Sequence, residues 1–444
     1  PVADLILTMA PDVGTSTNIN PAMDEKVYGP DSETNWEKKL DLRERLRPEL
    51  APTDEAWTRH IRFEIAEANC MSAAGSFGKM ADLLGIPFLP MMTVYDFFIK
   101  RALDQLYYNL YWGSGFILVG TPSGVTLSSE GAQHSWKSDI QVPNLITWEP
   151  SFAQELDWIL CDAIHRHVTQ DNANRKAVLV RGVTRGIHQD QLITNLRRQK
   201  RFKASLPDGA KLGARSGDGG LVEAEAPSIP DAEIFTQVRA EVLRGGYRLM
   251  DFRGYQGYEP GENVINLFVM GALAPEAIAA SEQLLDRGIY ANVIVASSPS
   301  LLFGLQGRED GYTHLREGLG IDGTLHLSRS DKVLDRMDVV DLAGRRVPIV
   351  SVHDGEEGLI DNIGSIVGTR QICLAVRRFS KCGTPDQIYD YQDLDVDSIV
   401  QACGQALAES ALERVQVTGA ALSDLQKSSH SEPGNWKELW PDPV

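Results

Sequence analysis

Along this chain short apolar runs alternate with stretches of helical period, and they do so in two separate blocks. In the first block residues 5–10, 87–94, 115–120 and 177–180 read as short buried strands, and residues 64–80, 96–112 and 147–168 as helices. The second block repeats the pattern, with strands over 264–271, 291–296, 347–352 and 371–376 and helices over 275–286, 356–367 and 395–412. Such alternation restricts the fold to α/β, here two doubly wound domains. Between the blocks, from about 189 to 246, the composition shifts. Arg197-Arg198-Gln199-Lys200-Arg201 precedes a stretch over 213–230 rich in Gly, Ser, Ala and acids, which reads as a linker or surface excursion, with a helix from Asp231. The expected division is a first domain over 1–190, a linker over 191–250, a second domain over 251–421 and a polar tail over 422–444.

The formal net charge is -18, from 43 Lys+Arg against 61 Asp+Glu, which speaks against nucleic acid as a partner because that needs a basic face. Cys70, Cys161, Cys373, Cys382 and Cys403 are scattered without a CxxC pair, favouring reduced thiols and a cytoplasmic setting. No apolar run approaches the roughly 20 residues of a membrane span, so no membrane partner is expected. Pro1 stands almost at the first buried strand, where a parallel α/β domain ordinarily has a helix first. The expectation is a chain that begins inside a domain, as a processed fragment or a truncated subunit.

Several stretches hold residues suited to chemistry. His134, in Ser129-Glu130-Gly131-Ala132-Gln133-His134-Ser135, lies in a loop after the strand at 115–120. Open α/β sheets bind ligands at such strand ends, and a histidine there titrates near neutrality, although it serves equally as a structural hydrogen-bond partner. The loop over 11–18 is rich in donors and suits either a ligand or a plain turn. Glu64 and Glu67 stand one turn apart at the start of a lean helix whose Ala66, Cys70, Ala73, Ala74 and Phe77 share a face. Side chains this small allow close packing on another backbone, and two carboxylates there also suit the helix dipole. The aromatic stripe of 96–112 reads as core. His165 and His167, two apart on a helix, point to different sides and make no metal pair.

The order Tyr95, Phe98, Arg101, Ala102, Asp104, Gln105 resembles a signature of thiamine-diphosphate enzymes, that of deoxyxylulose-phosphate synthase and its transketolase-superfamily relatives. Gly131-Ala132-Gln133-His134-Ser135, with Val142-Pro143-Asn144 after it, is similar to the β subunits of 2-oxo acid dehydrogenase first components. Residues 130–150 and 84–98 resemble the homodimeric pyruvate dehydrogenase first component. The similarity spans most of 5–185; the second half agrees more loosely.

The resemblance implies a pyrimidine-binding domain joined by the linker to a transketolase C-terminal-like domain. It also implies roles. Glu67, with Glu64 as second choice, would hydrogen-bond N1′ of the cofactor's aminopyrimidine and favour the imino tautomer that activates thiazolium C2, a task suited to a carboxyl buried among small neighbours. Phe98 would stack on that ring. Asp12 and Thr15 correspond to the first loop facing the cofactor. His134 would meet the substrate oxygen, with Tyr95 and Arg185 on the substrate side. Relatives hold Mg²⁺ through a Gly-Asp-Gly motif followed by paired asparagines. Gly217-Asp218-Gly219 follows no apolar strand and has no Asn-Asn pair downstream, so it reads as coincidence and no metal ligand is expected in this chain. Mg²⁺ and the diphosphate contacts would come from a partner, an α-type subunit or an upstream fragment, in an α₂β₂ assembly. The implied activity is that of the β-type part of a 2-oxo acid decarboxylase/dehydrogenase passing its acyl group to a lipoyl-bearing acyltransferase. Half of a split transketolase or carboligase, or a non-catalytic subunit, are the alternatives.

Overall fold

The structure, a computed structural model, describes residues 5–11, 60–125, 141–170, 175–183, 185–206, 211–215, 221–222, 227–321 and 346–428. The first block forms one all-parallel sheet from β1 (Ile6–Pro11), β2 (His60–Glu64), β3 (Leu89–Val94), β4 (Ile117–Ser123), β5 (Leu145–Trp148) and β6 (Ala177–Val183). Their spatial order is β2-β1-β3-β4-β6-β5. The chain steps from β1 outward to β2, then returns to the other side of β1 for β3, so the order reverses between β1 and β3. Such a reversal opens a crevice at the carboxyl ends of the strands. Helices α1 (Glu67–Gly78), α2 (Leu103–Tyr111) and α3 (Ala153–Thr169) belong to this unit.

After α4 (Asp190–Arg198) and α5 (Asp231–Val242), the second unit builds a sheet from β7 (Tyr247–Met250), β8 (Val264–Val269), β9 (Tyr290–Val295), β10 (Ile349–Glu356) and β11 (Gln371–Val376). Its order is β11-β10-β8-β9-β7, parallel except for β7. Helices α6 (Ala274–Asp286) and α7 (Val396–Ser428) pack together against it. The α/β, doubly wound expectation holds for both blocks.

The two units share a core: Trp148, Phe152 and Val180 of the first lie in one buried cluster with Leu249, Leu267 and Val350 of the second. The second unit also covers the open edge of the first sheet. Thr147 of edge strand β5 donates its N–H to Ser300 Oγ (2.9 Å), and its carbonyl accepts from Ser298 Oγ (2.6 Å). A strand edge satisfied this way is closed to further pairing. Deeper in the interface the Tyr247 hydroxyl donates to the wholly buried Glu155, which also accepts from the backbone of Ser151 and caps α3.

Several expected boundaries move. Glu64 ends strand β2 rather than starting a helix, because residues 60–64 pair with β1 in parallel register. The helix placed at 147–168 starts at Ala153, and its expected first residues are β5. The span 96–112 divides into a 3-10 helix and α2, and its aromatic stripe faces outward, with Tyr111 85% exposed and Tyr107, Tyr108 and Trp112 also open to solvent. The supposed linker carries α4, α5 and β7, and buries Leu192, Leu196 and Phe202. Strand β10 runs on to Glu356, leaving only Ile363–Val367 helical before β11, and α7 continues to Ser428.

The lean face of α1 packs on backbone, as its small residues imply: a Cβ on Gly78 would collide with the carbonyl oxygen of Gly115. Gly78→Ala is therefore expected to cost about 1–3 kcal/mol in urea unfolding, as overpacking does. Gly404 sits in exposed α7 with open space where its Cβ would be. Gly404→Ala should be neutral or stabilising by up to about 1 kcal/mol.

Candidate functional site

Strand β3 ends at Val94, beside the sheet's reversal point, and the chain enters a 3-10 helix over Asp96–Ala102. Three residues per turn place i and i+3 in line, so this short run sorts into three files. Asp96, Ile99 and Ala102 are wholly buried. Lys100 Nζ lies 5.5 Å from the centre of the Phe97 ring. Tyr95, Phe98 and Arg101 make the third file. The Tyr95 and Phe98 rings meet edge to face at 5.6 Å, and the Arg101 guanidinium carbon lies 3.7 Å from the Phe98 centroid.

Asp96 anchors this turn. Arg181 of β6 reaches it with Nε at 3.2 Å from Oδ1 and 3.4 Å from Oδ2, both residues being buried. Strand β4 lies between them, and the pair crosses it over Gly120, where a Cβ would collide with the Asp96 carboxylate. Gly120 stands in register with both Val94 and Arg181, so the three strands bring the pair together at one level.

Glu67 opens α1 just after β2, at the same carboxyl end of the sheet. Its side chain is 6% exposed, and its Oε1 accepts a 2.7 Å hydrogen bond from Arg101 Nη1, whose own side chain is 50% exposed. The helix dipole adds a favourable field for the carboxylate. One turn on, the Cys70 thiol is pushed well above its ordinary range, first by burial and then by the Glu67 charge. With Arg101 half in water, its ion pair contributes about 1 kcal/mol or less, and its stacking on Phe98 a similar amount. The buried ion pair and the packed turn hold the segment that carries Phe98, and Glu67 is buried at its helix start, whereas Arg101 is half in water and only lightly tethered.

Of the residues singled out from the sequence, the structure brings Glu67, Phe98 and Tyr95 into one neighbourhood. Arg101, quoted in the motif without a role, joins them; an arginine three residues after an aromatic in a helical stretch was the signal for it. Glu64 lies on β2, outside that helix. Asp12, Thr15 and His134 lie outside the described residues, as do Gly217-Asp218-Gly219. Arg185 is committed elsewhere: its guanidinium makes two bonds to Glu276 of α6 (2.8 and 2.6 Å), one to the Ala272 carbonyl (3.0 Å), and lies 5.0 Å from the Tyr389 ring centre.

A second polar cluster lies where the units meet. Asp354 of β10 and Glu149 after β5 are both buried, and burial, then the Glu149 charge, lifts the Asp354 carboxyl well above the usual carboxylate range. Asp354 accepts a backbone hydrogen bond from Val125, and the Val125 carbonyl accepts from Ser380 Oγ at 2.9 Å. The second unit thus grips the residue from which the chain leaves toward His134. Elsewhere, ligand atoms of His353, Asp361 and Cys373 lie within 4.8 Å of one another. The Gly355 N–H donates to His353 Nδ1, which leaves the ring proton on Nε2, facing Cys373 Sγ at 3.7 Å. A metal needs a lone pair on that nitrogen, so the trio is a hydrogen-bonded cluster in this arrangement.

Two doubly wound units, with a buried glutamate and an aromatic turn at the switch point of the first, define a chain with the fold of the transketolase superfamily, the thiamine-diphosphate enzymes its motifs resemble. Transketolase from Leishmania mexicana superposes with a TM-score of 0.55 at 13% identity, covering 91% of this chain and 43% of that one. A split gene transketolase, solved as an inactive beta4 tetramer, superposes with a TM-score of 0.51 at 15% identity, covering 91% of this chain and 93% of that one. In sequence the chain is 35% identical over 112 residues to the pyruvate dehydrogenase E1 component of Haemophilus influenzae and 27% identical over 139 residues to that of Escherichia coli. These matches take in 23% and 29% of this chain and span only 12% and 14% of the relatives' length. No family model matches the chain.

If the Asp96–Arg181 pair anchors the site, Arg181→Met should take the opposite charge away from a buried carboxylate and cost about 3–5 kcal/mol in urea unfolding. The double variant Asp96→Leu/Arg181→Met should recover most of that loss.

Proposed function

We propose that this chain supplies the aminopyrimidine-binding half of a thiamine-diphosphate-dependent 2-oxo acid decarboxylase or dehydrogenase. The observation that carries the reading is Glu67, a buried carboxylate at a helix start, beside the Phe98 ring at the reversal point of the sheet. A buried carboxylate and an aromatic face spanned by one flat cation, Arg101, also suit a flat ring with a donor on its edge, so the residues present suit the cofactor. Bound thiamine diphosphate would supply the nucleophilic carbon that adds to the substrate's keto group. Glu67 would hold a proton at N1′ and bias the ring toward its imino form. Phe98, buttressed by Tyr95, would fix the ring's plane. His134 would hydrogen-bond the substrate oxygen or shuttle a proton. Asp12, Thr15 and the alternative carboxylate Glu64 would complete the chain's side of the cofactor pocket.

Mg²⁺ and the diphosphate contacts would come from a partner, an α-type subunit or an upstream fragment, with α₂β₂ as the assembly and a lipoyl-bearing acyltransferase as acyl acceptor. Leu83, Leu84, Tyr108, Tyr111 and Trp112 expose large apolar surfaces on the first unit, which supports the need for a partner. One observation favours a second reading, a half of a split transketolase: the split gene transketolase chain is matched over 93% of its length.

The test is to purify the chain from its native source, identify what accompanies it, and assay the complex with 2-oxo acids and with ketose phosphates. Carbon dioxide release from a 2-oxo acid is expected, with Glu67→Gln lowering turnover by about 10²–10⁴-fold. Turnover of ketose phosphates alone would favour the second reading. Full turnover of Glu67→Ala in the complex would point to a non-catalytic subunit.

A further inference from the structure

We infer that Arg101 is a stand-in for the ligand's ring, holding the face between Glu67 and Phe98 until a flat amidine-bearing heterocycle displaces it. This rests on the reading above and adds what that face selects. A guanidinium is a planar, delocalised cation whose N–H groups donate in its own plane. Here it lies on the Phe98 ring at 3.7 Å while donating to Glu67 Oε1 at 2.7 Å. An aminopyrimidine protonated on its ring nitrogen presents the same features: a flat N–C–N unit, an in-plane donor for a carboxylate, and a π face for an aromatic ring. Both use the Glu67 oxygen that Arg101 now holds and the face of Phe98 that it covers, in a ring neighbourhood already shared with Tyr95 and Phe97 at 5.6 and 6.0 Å. Occupancy by one excludes the other.

The asymmetry of the pair makes the exchange workable. Glu67 is buried and is badly placed to stand unpaired in the empty chain, whereas Arg101 is half in water and can turn outward into it. Arg101 therefore keeps Glu67 paired while the site is empty and weakens every ligand by the cost of its own departure. It also filters ligands, since a ring without an in-plane donor cannot replace the bond that Glu67 loses.

Thiamine titrated calorimetrically into the full-length chain tests this. Arg101→Met keeps the aliphatic stem, and Arg101→Ala serves if the first fails to fold. Removing the competitor should tighten thiamine binding by about fivefold, the scale of so exposed a pair. Adding Glu67→Gln to Arg101→Met should abolish the gain. Equal or weaker binding by the Arg101 variants would overturn the inference. Methylguanidinium provides an independent arm: it should raise the melting temperature of Arg101→Met and leave the unsubstituted chain unmoved. If thiamine binds none of the proteins, either alone or in the complex purified from the native source, while methylguanidinium still rescues Arg101→Met, the cofactor reading fails and the stand-in role survives. If methylguanidinium fails as well, the stand-in role falls with it.

Discussion

Asp96 and Arg181 meet across the middle of a six-stranded parallel sheet, and they can do so because the residue beneath them on the intervening strand is Gly120. Buried charges this deep must find each other, since either alone would be costly. The need to keep Asp96 at that spot holds the start of the chain after β3. A three-residue period then follows: the file of Asp96, Ile99 and Ala102 is fixed inward, and the file of Tyr95, Phe98 and Arg101 lies on the side where Arg101 meets Glu67. Glu67 follows β2, on the far side of β1, as the first residue of α1, whose close approach to the rest of the unit depends on Gly78 lying against Gly115. One ion pair and one glycine contact thus set the distance between the carboxylate and the aromatic ring.

The second unit contributes by holding, not by lining. It satisfies the edge of β5 through Ser298 and Ser300, ties α3 through Tyr247, and takes both polar groups of Val125 with Asp354 and Ser380. Arg185 belongs to this work as well, since Glu276 and Tyr389 claim its guanidinium. The family resemblance implies a place for this residue on the substrate side. Nothing in the sequence showed that a glutamate of the other unit stands opposite.

The alternation of strands and helices was legible because buried parallel strands are apolar throughout, and that pattern survives without any knowledge of pairing. Glu67 and Phe98 were legible through the motif. The rest was hidden for identifiable reasons. Residues 60–64 alternate polar and apolar along an edge strand, so β2 escaped notice and Glu64 was drawn into the neighbouring helix. A period of three is hard to tell from one of 3.6 over seven residues, so the 3-10 turn was read as α-helix and the file that aligns Arg101 with Phe98 was missed. In α4 the charged residues masked Leu192 and Leu196, the two that fix it to the core. The outward aromatics of α2 read as core in the sequence because hydrophobic character says nothing about which face a partner covers.

A crystal structure of the chain in complex with its co-purified partner, Mg²⁺ and thiamine diphosphate tests the central claim most directly. The account expects ring density stacked on Phe98, a ring nitrogen about 3 Å from a Glu67 carboxylate oxygen, and the Arg101 guanidinium turned out into solvent. Ring density elsewhere, or a ligand bound with Arg101 still lying on Phe98, would contradict it.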